Sequence, residues 1–121
     1  MTDQTTDQAE LAPGRAAEML ESGDAQLVDV REAYEWEAGR VEGASHIPLA
    51  TLPARATEID SERPVILQCR TGARSRMATD ALRASGYDAY NLEGGLERWV
   101  EDGLPLTPTD GTVATARPDN S

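Results

Sequence analysis

The stretch VILQCRTGARSR, residues 65–76, decides how the fold of this sequence is interpreted. The segment Pro64–Gln68, with its apolar run VIL, is predicted to be a short buried β-strand. Cys69 follows directly, then a loop with Gly72, and from Arg74 onward apolar residues recur at helical spacing. In open parallel sheets, binding and catalytic sites lie beyond the carboxyl ends of the strands. The loop after Cys69 is therefore the first candidate for a functional site.

The surrounding sequence alternates short apolar strands with amphipathic helices. Three helices, each with an apolar stripe and a glycine just beyond its end, are predicted over Pro13–Ser22, Arg74–Ser85 and Gly95–Asp102. Two further short helices are expected over Glu32–Glu37 and Pro53–Ile59. Strands are predicted over Gln26–Val30, Pro64–Gln68 and Tyr87–Leu92, with shorter ones at Ser45–Ile47 and Glu10–Leu11. This alternation indicates an α/β fold with a parallel sheet covered on both faces.

The two ends of the chain differ from its middle. Residues 1–8 and 107–121 are rich in Thr, Asp and Pro and lack apolar periodicity, so we expect an N-terminal and a C-terminal disordered segment. Residues 9–106 are then predicted to form the one domain that a chain of 121 residues suits.

Charge and hydropathy restrict the possible partners. The formal net charge of −11 would repel phosphate backbones and anionic lipid surfaces, so we expect neither nucleic-acid nor membrane binding. No apolar stretch approaches the length that spans a bilayer, and the polar, acidic beginning of the sequence does not resemble a secretory signal. Because the single cysteine has no disulfide partner in the chain, a reducing cytoplasm is the expected location.

The single cysteine is predicted to be a reactive thiol. One Cys and one His cannot build a zinc site within one chain, and no internal disulfide is possible, so we expect no metal and no cofactor. An isolated cysteine is often an inert buried side chain. Here, however, loop amides, a helix N-terminus and the arginines at positions 70, 74 and 76 all favour an anion at Cys69. A thiolate held in this way is a nucleophile.

Three stretches together resemble a known family. CRTGARS, residues 69–75, resembles the active-site loop of single-domain rhodanese-type sulfurtransferases. LVDVREAYEWEAGRVEGASHIPL (27–49) and GYDAYNLEGGLERWVEDGLPL (86–106) resemble the first and closing signatures of that family, although Gly-Arg-Val stands at 39–41 where Gly-His-Ile is usual. The resemblance implies a rhodanese-like, five-stranded parallel sheet flanked by helices on both faces.

The resemblance also implies a sulfurtransferase reaction. Cys69 would take a sulfane sulfur from a small-molecule donor such as thiosulfate, hold it as a persulfide, and pass it to a cellular thiol, to cyanide or to a protein acceptor. The residues expected to bind substrate or to form the active-site loop are Arg70, Thr71, Gly72, Ala73, Arg74 and Ser75. Within this loop Arg70 is expected to bind an anionic donor. Arg74 could pair with a carboxylate, which we favour slightly, or add positive potential at the sulfur.

Other residues are expected to support the site rather than react. Asp29 and Arg31 end the neighbouring strand and are predicted to form an orienting ion pair. The resemblance gives His46 a structural hydrogen bond. The acidic residues Glu32, Glu35 and Glu37 are expected to form a solvated face.

Two alternatives compete with a sulfurtransferase. A cysteine loop ending in arginine also suggests a phosphatase, but the protein-tyrosine-phosphatase pattern has five residues between Cys and Arg and this loop has four. The shorter loop leaves less room for a tetrahedral oxyanion. The other alternative is a regulatory or sulfur-carrier module that uses the same Cys69 loop without free turnover.

Overall fold

The computed structural model describes residues 8–115 as a parallel sheet with helices on both sides. Its strands are β1 (Glu10–Leu11), β2 (Gln26–Asp29), β3 (Ser45–His46), β4 (Val65–Gln68) and β5 (Ala89–Leu92). Its α-helices are α1 (Pro13–Glu21), α2 (Ala33–Ala38), α3 (Leu52–Arg55), α4 (Ala73–Ala84) and α5 (Gly95–Glu101). The strand order is β1-β5-β4-β2-β3, and every pairing is parallel. The predicted α/β fold is confirmed, with β4 at the centre of the sheet.

Strand β4 separates two hydrophobic layers because its side chains alternate between the faces of the sheet. Val65 and Leu67 pack in the layer that α3 and α4 cover, whereas Ile66 packs in the layer that α1 and α5 cover. Cys69 belongs to the same layer as Val65 and Leu67, so its side chain lies on the α4 side of the sheet. The alternation of β4 therefore aims the thiol at the N-terminus of the helix that follows it.

The predicted helices are found within a residue or two of their expected bounds, with one exception. The segment Pro53–Ile59 was predicted as one helix, but only α3 is α-helical, and 3₁₀ turns lie on either side at Leu49–Thr51 and Ala56–Glu58. Ile59 has extended backbone dihedrals and is buried in the core. Burying this side chain ends the helix early. Among residues 8–115, no helix is both long and apolar enough to cross a membrane.

The segment after residue 106 is bonded to the domain, contrary to the expected disorder from residue 107. Arg40 and Thr107 exchange backbone hydrogen bonds of 3.1 Å and 2.7 Å, and the amide of Thr112 donates to the carbonyl oxygen of Ala38 at 2.8 Å. Gly39 permits this contact, because a Cβ there would lie 2.6 Å from the Thr112 carbonyl oxygen. The prediction is therefore wrong for residues 107–112. The disorder expected at residues 1–7 and 116–121 lies outside the described residues.

Candidate active site

The sulfur of Cys69 is buried and faces two backbone amides from the first turn of α4. The amide of Gly72 donates to Sγ at 3.1 Å and the amide of Ser75 at 3.4 Å. Gly72 has a φ of +104°, a left-handed conformation that glycine adopts without steric cost. This conformation turns the loop so that the helix N-terminus points at the sulfur. The pair of amides favours negative charge on the sulfur.

The outer side of the loop is held by α5. The amide of Leu96 donates to the carbonyl oxygen of Cys69 at 2.8 Å, and the amide of Glu97 donates to that of Arg70 at 3.0 Å. Gly95 lies between these contacts with a φ of +65°, and a Cβ there would come within 2.5 Å of the Arg70 carbonyl oxygen. The loop carbonyls are therefore directed at α5, which leaves loop amides for the sulfur.

Arg70 is paired with a carboxylate that sequence reasoning did not identify. Its Nη1 lies 2.7 Å from Oε2 of Glu97, and about a third of the Arg70 side chain is exposed. The sequence predicts that Arg70 binds an anionic donor. In the structure a donor anion must compete with Glu97 for this guanidinium. Two further loop residues, Thr71 and Ala73, are exposed.

Arg74 ends the loop in a bidentate ion pair with Glu35 of α2. The two N–O distances are 2.8 Å and 2.9 Å, and the amide of Glu32 donates to the same carboxylate at 3.0 Å. Burial alone would raise the pKa of Glu35, but the hydrogen bonds from Arg74 and Glu32 bring that pKa below its ordinary value. The pKa of Arg74 is raised by the same partner. Glu35 is buried, so its expected place on a solvated face is wrong.

A second, fully buried ion pair organises the turn between β2 and α2. Arg31 donates from Nη2 to Oδ2 of Asp29 at 2.7 Å and to the carbonyl oxygen of Gly39 at 2.8 Å. His46 donates from Nε2 to the carbonyl oxygen of Arg31 at 2.8 Å, and its ring stacks on Trp36. These contacts hold the start of α2, the helix that carries the partner of Arg74.

Behind the sulfur lies a group of polar side chains, of which the sequence identified Ser75 but not Asn91 or Glu10. The hydroxyl of Ser75 is 3.3 Å from the Cys69 sulfur and 2.5 Å from Oδ1 of Asn91. Asn91 in turn contacts the carboxylate of Glu10. The one feature of the sequence that could have indicated this group is the asparagine in the otherwise apolar strand β5, which the structure shows to be buried. No group of three or more His, Cys, Asp or Glu side chains disposed to hold a metal occurs within residues 8–115.

The family is decided by a match to residues 12–102, which fit the family model described as the rhodanese-like domain. The chain belongs to the rhodanese-like domain family. The predicted family membership is therefore confirmed, and the Cys69 loop lies within the matched region.

Named relatives and solved structures agree with this rhodanese-like domain. The chain is 46% identical over 76 residues to the uncharacterized protein YqhL of Bacillus subtilis strain 168, which covers 62% of this chain and 60% of that protein. It is 35% identical over 98 residues to thiosulfate sulfurtransferase GlpE of Glaesserella parasuis serovar 5, and this match covers 80% of this chain and 91% of that protein. A rhodanese-related protein from Thermoplasma volcanium has the same fold, with a TM-score of 0.76 and 24% identity over 81% of this chain and 96% of that one. Family and relatives support sulfurtransferase activity in general.

Proposed function

We propose that this rhodanese-like domain moves a sulfane sulfur from thiosulfate or a persulfide donor to a thiophilic acceptor, through a persulfide on Cys69. The observation that carries the proposal is the pair of amides, from Gly72 and Ser75, that face the buried sulfur. They would stabilise the thiolate of Cys69 before sulfur transfer, and stabilise it again when the acceptor removes the sulfur and the thiolate re-forms. Cys69 is also the only cysteine of the chain, so no other thiol in this sequence can take this role.

The first half of the reaction loads the sulfur. The Cys69 thiolate attacks the outer sulfur of thiosulfate, a new S–S bond forms, and the bond between the outer sulfur and the sulfonate sulfur breaks. The electron pair of the broken bond leaves with sulfite, a dianion that needs no proton from the protein. Cys69 is left as a persulfide anion, so charge is conserved across the step.

The second half of the reaction unloads it. A thiolate acceptor or cyanide attacks the outer sulfur of the persulfide, and the Cys69 thiolate is the leaving group. The loop amides face the atom on which that charge reappears. Acceptors of this class are small thiols, cyanide or a cysteine of another protein. A reducing cytoplasm is the compartment in which such an unpaired thiol would persist.

The position of Arg74 argues against the phosphatase alternative. A phosphatase loop needs its arginine for the oxygen atoms of the transferred phosphoryl group. Both terminal nitrogens of Arg74 instead bind the buried carboxylate of Glu35. Freeing the guanidinium would leave the buried carboxylate of Glu35 without its ionic partner, which is unfavourable. The Arg74–Glu35 pair therefore favours sulfur transfer over phosphoryl transfer as the proposed reaction.

Mass spectrometry of the intact protein tests the proposal. Wild-type protein incubated with thiosulfate should gain one sulfur atom, and Cys69→Ser should gain none because its hydroxyl stays protonated at neutral pH. Turnover with thiosulfate and cyanide should likewise require Cys69. Equal turnover by both proteins would refute the mechanism. A wild-type persulfide that forms but is not turned over would support the sulfur-carrier alternative instead.

A further inference from the structure

A buried hydroxyl separates the Cys69 sulfur from an asparagine on the neighbouring strand. Ser75 is fully buried, and its Oγ lies 3.3 Å from the sulfur and 2.5 Å from Oδ1 of Asn91. A serine hydroxyl has one proton, so it can donate to only one of these two acceptors at a time. Which acceptor receives the proton decides whether Ser75 favours the thiol or the thiolate of Cys69.

The surroundings of Asn91 determine which of its amide atoms faces Ser75. Nδ2 lies 3.1 Å from both carboxylate oxygens of Glu10 and 3.2 Å from the carbonyl oxygen of Gly72. All three are acceptors, so the atom among them must be the NH2 group. Oδ1 therefore faces Ser75. Because Oδ1 carries no hydrogen, the short contact of 2.5 Å requires the hydroxyl of Ser75 to donate to it.

Glu10 strengthens this arrangement from the edge of the sheet. It lies beside Asn91 in the β1–β5 pairing, and Nη1 of Arg76 holds its carboxylate at 2.7 Å. A carboxylate that accepts from Nδ2 polarises the amide and makes Oδ1 a stronger acceptor. The hydroxyl proton of Ser75 is therefore held on the side of Asn91, and a lone pair of Oγ faces the sulfur.

We propose that Asn91, oriented by Glu10, is a positioning residue that controls the ionisation of Cys69 by withholding the hydroxyl proton of Ser75 from the sulfur. When Cys69 is a thiol, its S–H can donate to the oxygen of Ser75, and the Ser75 proton stays directed at Asn91. When Cys69 is a thiolate, it can only accept a hydrogen bond, and Ser75 can donate one only by giving up its bond to Asn91. Asn91 and the two loop amides thus act in opposite directions on the same sulfur. The inference deepens the proposed function, because it concerns the nucleophile of that reaction.

The other charged groups around the loop form a common background for the Asn91 variants. Arg74 on α4 lies close enough to attract a thiolate at Cys69. The ion pairs that surround the loop are Arg74 with Glu35 of α2, Arg70 with Glu97 of α5, Arg31 with Asp29 at the end of β2, and Arg76 with Glu10 of β1. Substituting Asn91 leaves the first three of these pairs untouched, and Glu10, which loses its contact with Asn91, keeps its ion pair with Arg76.

The ionisation midpoint of Cys69 tests the inference directly, without sulfur transfer. The ultraviolet absorbance of the thiolate is titrated against pH, with Cys69→Ser as the blank for tyrosine, and the single cysteine makes the difference specific. Asn91→Leu, which removes the acceptor at similar volume, should lower the midpoint by about 0.5–1 pH unit because Ser75 can now donate to the thiolate. Asn91→Ala should shift it in the same direction and serves if the leucine variant folds poorly. Glu10→Gln should give a smaller shift of the same sign.

A double variant separates this inference from a purely structural role of Asn91. In a Ser75→Ala background, Asn91→Leu and Asn91→Ala should leave the midpoint unchanged, because the hydroxyl through which Asn91 acts is absent. Glu93→Gln, an exposed carboxylate two residues along the chain, should not shift it either. The inference is overturned if neither Asn91 variant lowers the midpoint, or if the same shift persists without Ser75. Failure of the wild type to transfer sulfur would refute the proposed function and leave this result intact.

Discussion

Replacing Gly95 by alanine should impair sulfur transfer although the side chain added is far smaller than any substrate. A Cβ at Gly95 would lie 2.5 Å from the carbonyl oxygen of Arg70, and ordinary contact begins at 3.4 Å. Both the loop and the start of α5 are tightly packed backbone, so they must separate by about 0.9 Å to remove the overlap. The hydrogen bonds from α5 to the carbonyls of Cys69 and Arg70 are 2.8 Å and 3.0 Å long. Such a displacement would stretch both to about 3.7–3.9 Å, beyond hydrogen-bonding range.

The expected loss follows from these distances. Two backbone hydrogen bonds contribute about 1–3 kcal/mol together to the free energy of unfolding, and a non-glycine residue at a left-handed φ costs about 1–2 kcal/mol more. A displacement of roughly 1 Å in a catalytic loop is expected to lower kcat/KM by about a hundredfold. Urea unfolding and thiosulfate–cyanide turnover measure the two losses separately.

Gly103→Ala is the matched control for this variant. Gly103 has a φ of +83°, and a Cβ there would meet nothing within 4 Å. It should therefore show the backbone cost of about 1–2 kcal/mol and keep its activity. If folded Gly95→Ala turns over as fast as Gly103→Ala, the contact between α5 and the loop does not position the nucleophile, and the reasoning is refuted.

Two further predictions concern the ion pairs at the loop. Glu97→Gln should raise kcat/KM for thiosulfate, because the donor no longer competes with a carboxylate for Arg70. Arg70→Ala should lower kcat/KM, because it removes about 1–3 kcal/mol of transition-state stabilisation. An uncharged persulfide donor should be affected less, and equal losses with both donors would mean that Arg70 shapes the loop instead. The pKa of Glu35 in the folded protein lies below its ordinary value of 4.5. The ion pair with Arg74 therefore stabilises the fold fully above pH 4.5, and this stabilisation is lost as the pH falls through the lowered pKa. The difference in the free energy of unfolding between wild type and Glu35→Gln should therefore shrink below pH 4.5 in chemical denaturation; a difference that stays constant would contradict this coupling.

The sequence by itself determined the order and type of most elements and the position of Cys69, the proposed nucleophile. Strand β4 and helix α4 can be predicted from the sequence, because apolar periodicity and the conformational freedom of Gly72 act over a few neighbouring residues. The same local rules place Cys69 at the carboxyl end of the central strand. The helix predicted over Pro53–Ile59 was wrong because the burial of Ile59 depends on the core, which local periodicity does not describe.

The tertiary structure decided which partners surround the Cys69 loop. Glu35 reaches Arg74 across 39 positions of sequence, and Asn91 meets Glu10 across 81. In a chain with 22 acidic residues, composition does not show which carboxylate will be buried against which arginine. The attachment of Thr112 to the main chain beside Gly39 is equally invisible, because it depends on the shape of the backbone rather than on hydropathy. Desolvation and hydrogen bonding act through space, so only the folded chain assigns these residues to the site.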